Sequence, residues 1–197
     1  MATRGFKHFR RAASAEVPPG QYVTDGFPVL TAGPTITLRP DEWELTVREG
    51  EIVKSYAWDS LQALGVEELK TDIHCVTHWS KLGTTWRGVP VAAVFDDAGI
   101  GVSDHALVAS YGDYTTNLPT ADLVEHDAML AVAFEGEPIE AEHGGPVRLL
   151  VPHLYLWKSA KWVREIRLAD EPGQGFWEAA GYHDYGDPWS EQRYHGD

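Results

Sequence analysis

Short apolar runs of five to seven residues, separated by turn-forming residues, are the dominant pattern along this chain. Runs of this length that are rich in branched and aromatic side chains favour strands over helices. The pattern predicts strands at residues 43–47, 73–79, 105–111, 128–134, 147–152 and 162–168. The run at 73–79 is expected to enter a loop at Cys75.

Helical signals are fewer and shorter. Asp59 or Ser60 could cap a helix that runs to Leu64, where Gly65 would stop it. Residues 89–95 are expected to form a short helix or a buried segment. Short strands joined by short helices, without regular βαβ alternation, predict an α+β fold with mixed sheets.

The chain of 197 residues fits one domain. Residues 1–26 are predicted to be an N-terminal arm, and residues 27–197 a single domain with an aromatic-rich tail that packs over the body. Arg10 and Arg11 form a twin-arginine pair, but no hydrophobic export segment follows them. No run approaches the ~18 apolar residues that span a bilayer. We therefore expect a cytoplasmic protein without membrane insertion.

The charge is strongly negative and unevenly distributed. A net charge of −14 argues against nucleic acid as a partner. Residues 88–147 contain eleven Asp and Glu and no Lys or Arg, whereas residues 148–167 contain five bases and one acid. Such a basic segment is typical of a local anion site, or of a cationic face that offsets neighbouring acids.

Cys75 is the only cysteine, and His74 and His78 flank it. Three interpretations remain open from these residues. The thiol could be a core side chain, since free cysteine is among the most buried residue types. It could bind zinc together with the histidines, although a structural zinc site usually needs four ligands. It could also be the nucleophile of a thiol hydrolase.

Two further motifs indicate anion binding. Residues 143–148 read His-Gly-Gly-Pro-Val-Arg, in which glycine backbone and Arg148 could hold an anionic group. Residues 157–162 read Trp-Lys-Ser-Ala-Lys-Trp, in which Lys158 and Lys161 could contact a phosphate between flat rings. A hairpin turn and a basic strand edge are the alternatives for these motifs.

Together these segments resemble the molybdopterin-binding domain of the sulfite-oxidase type, over roughly residues 25 to 190. The resemblance includes Asp-Ile-His-Cys-Val at 72–76, Trp-Arg-Gly-Val-Pro at 86–90 and Tyr-Thr-Thr-Asn-Leu-Pro at 114–119. It continues through the two motifs above and through Gly-Phe-Trp-Glu at 175–178 and Gly-Asp-Pro-Trp at 186–189.

The resemblance implies a Mo-molybdopterin cofactor with Cys75 as the metal ligand. It implies that the cofactor is contacted by Ser110, His143, Arg148, Ser159 and Lys161. We add the neighbouring His74 and Lys158 to this set of cofactor-binding residues. His78 and Tyr111 are assigned to the substrate side. The implied reaction is oxygen-atom transfer to or from a small sulfoxide, N-oxide or sulfite-like substrate, with electrons exchanged through an outside carrier.

Departures from the family pattern limit what the resemblance implies. Val76-Thr77-His78 stands where sulfite oxidases have Gly-Asn-Arg, so the local cation that a sulfite dianion needs would be present only when His78 is protonated. Pro28-Val29 replaces a Tyr-Glu pair that contacts the pterin in sulfoxide reductases. The chain is also too short for the C-terminal dimerisation domain of the sulfite oxidases, so we expect a monomer. It has no haem motif either. A non-catalytic molybdopterin-binding or interaction module, and less readily a zinc or thiol hydrolase, remain alternatives.

Overall fold

Two β-sheets dominate the computed structural model, which describes residues 17–197. The first sheet has six strands, and the second has five. Arg10, Arg11 and the other residues of the predicted arm up to 16 lie outside the described residues.

The six-stranded sheet carries the lone cysteine at the end of one strand. The strands of this sheet are β1 (Tyr22–Val23), β4 (Glu67–His74), β5 (Trp79–Pro90), β8 (Met129–Phe134), β9 (Glu137–Pro138) and β10 (Arg148–Leu150). A long hairpin, β4 with β5, forms one part of the sheet, and β5 also pairs in antiparallel register with β8.

The five-stranded sheet contains β2 (Glu44–Glu49), β3 (Ile52–Ala57), β6 (His105–Ser110), β7 (Thr115–Pro119) and β11 (Val163–Ala169). Its strand order is β3-β2-β11-β6-β7. The β2 and β11 strands run parallel, and the other pairs are antiparallel. Burial alternates along β6 and β7, as expected for strands with one face on the core.

The helices are short and serve as connections. They are α1 (Trp58–Gln62), α2 (Val91–Ala98), α3 (Thr120–Val124) and α4 (Phe176–Ala179), with single 3-10 turns at Pro40–Glu42, Ala141–His143 and Leu156–Lys158. Among the described residues, no helix has the length and apolar character needed to cross a membrane.

The buried apolar residues form two clusters. The larger one includes Trp43, Leu45, Val108 and Ile166 and lies under the five-stranded sheet. The smaller one surrounds the end of β4 and contains Ile73, Cys75, Trp79, Trp86, Met129, Ala131, Ile139 and Leu150. Because dense packing fixes side-chain positions, the second cluster holds the cysteine in a defined place.

The α+β prediction with mixed sheets is confirmed, and each of the six predicted strand regions contains a strand. At residues 73–79, β4 ends at His74 and Cys75 lies in a loop, as expected, and the loop is that of a hairpin because a second strand, β5, begins at Trp79. The predicted helix cap was wrong, since Ala57 occupies the N-cap and no side chain caps α1. Residues 89–95 divide between the end of β5 and the start of α2.

The described part of the predicted arm is built into the domain. Tyr22 and Val23 pair in parallel with Trp79 and Ser80 of β5. The aromatic tail carries one helical turn, α4, and an isolated bridge between Tyr182 and Tyr194. These contacts bring both ends of the described chain to the loop that contains Cys75.

Candidate functional site

The Cys75 loop is a tight connection between β4 and β5. The Cys75 amide donates to the Trp79 carbonyl at 2.9 Å, and the His78 amide donates to the Cys75 carbonyl at 3.1 Å. His78 has a φ of 75°, a left-handed conformation that His adopts more readily than most residues. The backbone conformation of the turn therefore accounts for a histidine at position 78 without a direct role in the reaction.

Segments distant in sequence clamp this loop from both sides. Gln21 Nε2 donates to the Cys75 carbonyl at 3.0 Å, and Arg193 Nη1 donates to the Val76 carbonyl at 2.6 Å. Arg193 also lies over the Tyr155 ring, 5.0 Å from its centroid. Because two segments distant in sequence bind the loop's backbone, the cysteine is presented by a rigid support.

The Cys75 thiol is nearly buried, with 6% of the residue exposed. Its Sγ lies 3.1 Å from Thr77 Oγ1. Burial raises the pKa of the Cys75 thiol, while the Thr77 contact and the positive charges of Arg193 and Lys161 act in the opposite direction. The free thiol is therefore protonated at neutral pH, and a bound metal ion would have to replace its proton.

A cavity of about 660 Å³ opens beside the thiol. Seven of the ten predicted site residues line it. They are Cys75, Ser110, Tyr111, His143, Arg148, Ser159 and Lys161. Residues more than eighty positions apart in the chain thus meet in one place.

Arg148 is the most buried cation of the cavity, with 2% exposure. Its guanidinium donates to the carbonyls of His143 and Ser159, at 2.8 and 3.0 Å, and lies 5.6 Å from the centroid of the Trp86 ring. Among residues 17–197 it has no carboxylate partner, and its Nε has no hydrogen-bond acceptor. Burial lowers the pKa of Arg148 to about 10.

Lys161 supplies a second positive charge. Its Nζ donates to the carbonyls of Leu30 and Glu142, at 2.7 and 2.6 Å. Burial, reinforced by the charge of Arg148, lowers the pKa of Lys161 to about 8. Two cations close enough to repel each other, with carbonyl partners only, favour the binding of an anion between them.

The glycines after His143 are required by close packing. A Cβ on Gly144 would lie 2.7 Å from Lys161 Cβ, and one on Gly145 would lie 1.9 Å from the Ile139 carbonyl oxygen. This approach places the His143 ring flat on Phe27, with centroids 4.1 Å apart and an interplanar angle of 9°. Burial is the main cause of the lowered pKa of His143.

Ser110, Tyr111 and Ser159 line the cavity but also have partners within the fold. Ser110 Oγ donates to the Lys161 carbonyl at 2.6 Å, and Ser159 Oγ accepts from the Val151 amide at 2.9 Å. Tyr111 bonds through its hydroxyl to the backbone of Glu44, both as donor and as acceptor. These hydrogen bonds hold the three side chains in place as parts of the cavity wall.

Three predicted site residues lie outside the cavity lining. His74 is buried with its Nδ1 2.8 Å from Ser80 Oγ, and His78 Nδ1 lies 3.0 Å from the Gly20 carbonyl oxygen. Lys158 directs its ammonium to Glu178 and Asn117. His74, Cys75 and His78 do not form a cluster of metal donors among the described residues, so the zinc interpretation lacks support.

Sequence reasoning missed several residues that contact or line the cavity. Thr77 touches the thiol, and flat side chains from five segments form the walls. These are Phe27, Trp79, Tyr114, Trp157, Trp162, Phe176, Trp177 and Tyr182. The sequence signals for these walls were the two Trp residues of the 157–162 motif and the high aromatic content of the tail. The tail's path across the body gives its aromatic residues their location.

Comparison with known proteins identifies the family. The family described as "Oxidoreductase molybdopterin binding domain" matches residues 32–177. An uncharacterized oxidoreductase of Bacillus subtilis, YuiH, is 41% identical over 187 residues, which cover 92% of this chain and 93% of the relative.

More distant relatives carry named activities. A protein-methionine-sulfoxide reductase catalytic subunit, MsrP, of Ralstonia nicotianae is 28% identical over 76% of this chain and 50% of its own length. The mitochondrial sulfite oxidase of Drosophila melanogaster is 23% identical over 88% of this chain and 36% of its own length. The chain thus spans half or less of these two relatives.

A solved structure shows the same fold. The sulfane dehydrogenase SoxCD of Paracoccus pantotrophus superposes with a TM-score of 0.63 at 19% identity, over 70% of this chain and 41% of its own chain. The family match and the Bacillus relative each span most of the chain, as the motifs around Cys75 and Arg148 predicted. The chain is an oxidoreductase that belongs to the molybdopterin-binding domain family of the sulfite-oxidase type.

Proposed function

We propose that the cavity binds a Mo-molybdopterin cofactor, with Cys75 as the protein ligand to molybdenum, and that the enzyme transfers an oxygen atom to or from a small substrate. One observation carries this proposal. The single thiol shares its cavity with two cations, Arg148 and Lys161, that have no carboxylate partner among the described residues.

The residues present fit such a group. A pterin is flat and bears a phosphate, and the cavity combines aromatic walls with two cations and several free polar atoms. The Nε of Arg148 and the Nδ1 of His143 are buried and have no hydrogen-bond partner in the described part of the chain. Soft metal ions prefer sulfur ligands, and the thiolate of Cys75 would provide such a ligand.

When bound, the cofactor supplies the two-electron redox change that oxygen-atom transfer requires. The protein's part is to place and tune the thiolate. The Thr77 hydroxyl can donate to the Cys75 sulfur at 3.1 Å, and such a hydrogen bond withdraws charge from a metal-bound thiolate. The clamps from Gln21 and Arg193 keep the loop in one conformation.

The charges of the cavity favour a neutral substrate such as a sulfoxide or N-oxide. Within residues 17–197, two basic side chains line the cavity, those of Arg148 and Lys161, and the cofactor phosphate would engage this charge. A sulfite dianion would need another cation, and His78 lies outside the lining with its Nδ1 near the Gly20 carbonyl. An outside electron carrier would complete the redox cycle of the enzyme. The cytoplasmic location and the monomeric state of the protein stay predictions.

An activity screen tests this function. The chain is produced in a molybdenum-competent host, assayed for molybdenum and pterin, and supplied with a reduced or oxidised dye. We expect dye-linked turnover of a sulfoxide or N-oxide above that of sulfite, and loss of turnover in Cys75→Ser. Full cofactor loading without turnover of any of the three classes would instead support a non-catalytic cofactor-binding module.

A further inference from the structure

A second cluster of metal-ligating side chains lies outside the cavity. Asp122 is in α3, His126 follows two residues after the end of that helix, and His153 lies in the loop after β10. None of the three lines the cavity. One donor atom from each side chain lies within 4.8 Å of the others.

The distances within this cluster approach those of a metal site. The Nε2 atoms of His153 and His126 lie 3.2 and 3.8 Å from Asp122 Oδ1. Donors bound to one tetrahedral zinc ion stand about 3.3 Å apart, because each bond is about 2.0 Å long. Small rotations of the partly exposed His126 ring would therefore complete the geometry.

Buried polar atoms in the cluster lack partners. Asp122 is 4% exposed, and its Oδ2 has no hydrogen-bond partner among residues 17–197. Both ring nitrogens of His153 are also buried without a hydrogen bond in that part of the chain, so its 3.2 Å contact with Asp122 is not a well-formed hydrogen bond. Buried groups of this kind usually have partners. A cation bound to the Asp122 carboxylate and to one ring nitrogen of His153 would give each of these two side chains a partner.

Neighbouring groups do not fully neutralise Asp122. Tyr185 donates a hydrogen bond to Asp122 Oδ1 at 3.2 Å. Lys158 is near enough to interact with the Asp122 charge, but its ammonium donates to Glu178, Asn117 and Asp184. The rings of His126 and His153 lie with centroids 4.5 Å apart, a spacing at which two protonated imidazoles would repel each other.

We propose that Asp122, His126 and His153 bind one divalent transition-metal ion of the zinc type. Two imidazoles and a carboxylate suit zinc, cobalt, nickel or copper better than calcium or magnesium, which prefer oxygen ligands. Three protein ligands leave a fourth position for water. The ion would join α3 to the loop after β10, and so would stabilise the support of Leu156–Lys158 without touching the cofactor.

Cobalt and zinc binding to the purified full-length chain tests this site. After removal of divalent metals, we expect one equivalent of Co²⁺ with a visible spectrum of nitrogen and oxygen ligation, displaced by Zn²⁺. Asp122→Asn and His126→Ala should each weaken binding by at least about 10-fold. The matched control is His195→Ala, which removes an exposed imidazole elsewhere and should bind metal like the parent.

A thermal readout accompanies the binding data. At zinc 100-fold above its dissociation constant, the parent's melting temperature should rise by about 5 °C or more, and that of Asp122→Asn should not. Far-UV circular dichroism checks that the variants fold, and His126→Ala removes a half-exposed side chain. Equal cobalt affinity in parent and variants, a thiolate-to-cobalt charge-transfer band from Cys75, or the absence of binding would each overturn the proposal.

Discussion

Lys158 Nζ lies 2.5 Å from Glu178 Oε1, and both side chains are fully buried. The carboxylate also accepts from Thr116 Oγ1 and Trp157 Nε1, each at 3.1 Å. This network attaches α4 and the tail to the segment that bears Lys161 and Ser159. A lysine with the sequence signature of a phosphate ligand therefore holds the wall of the cavity together.

Lys158→Met should destabilise the fold, because it leaves the Glu178 carboxylate buried without its cation. Loss of one partner of a buried pair costs about 3–5 kcal/mol. Lys161→Met is the matched control, and at pH 7 it should not destabilise the fold, since Lys161 bonds only to carbonyls and burial disfavours its charge. Urea unfolding of both variants measures this, and equal destabilisation would contradict the assignment.

Arg148→Gln should lower the cofactor content of the purified protein by at least about 10-fold. The guanidinium is the buried cation of the cavity, and no carboxylate of the described chain is paired with it. Arg164→Gln changes an exposed arginine of β11, in the other sheet, and should retain normal content. Molybdenum and pterin assays on the two proteins give the comparison, and equal loss from both would point to a general charge effect.

Thr77→Val should reduce turnover about 10-fold while cofactor content stays near that of the parent. Valine keeps the shape of threonine but removes the hydroxyl that lies 3.1 Å from Cys75 Sγ. Hydrogen bonds to metal ligands typically tune activity by 10–100-fold. Thr77→Ser restores the hydroxyl and should restore turnover. A valine variant with full activity would show that the hydroxyl is unimportant.

The cofactor-free protein should gain stability with rising pH between about 8 and 10.5 through Lys161. Its pKa is lowered to about 8 from 10.5, so the unfolded chain binds more protons than the folded one in this range, and stability rises with pH. The difference between the parent and Lys161→Met isolates this contribution in urea unfolding at several pH values. A difference that does not change with pH would contradict the lowered pKa.

The sequence predicts β2, β6, β8, β10 and β11 well because each is a short apolar run with turn residues near its ends. It fails at β4 and β5, where Glu67 to Lys70 and Lys81 to Thr85 are polar and the hairpin is stabilised by pairing between the two strands. It fails at β7 for the same reason, since Thr115 to Asn117 carry little apolar signal.

The site residues also divide into those that the sequence predicts and those that depend on the tertiary fold. Cys75, Arg148 and Lys161 belong to motifs with distinctive local chemistry, and the fold brings them to one cavity. Lys158 carries an equal sequence signal but meets Glu178, twenty residues away, and only the tertiary path of the tail decides this. Phe27 belongs to no sequence motif. Its place in the cavity wall is defined by stacking on the ring of His143, which is distant in the sequence.

The sulfur coordination of molybdenum in the loaded enzyme tests the central claim most directly. X-ray absorption at the molybdenum edge should show three sulfur ligands in the parent protein, two from the pterin and one from Cys75. In Cys75→Ser, which keeps Arg148 and Lys161 for the pterin, the count should fall to two. A sulfur count that is the same in both proteins would show that Cys75 is not the ligand.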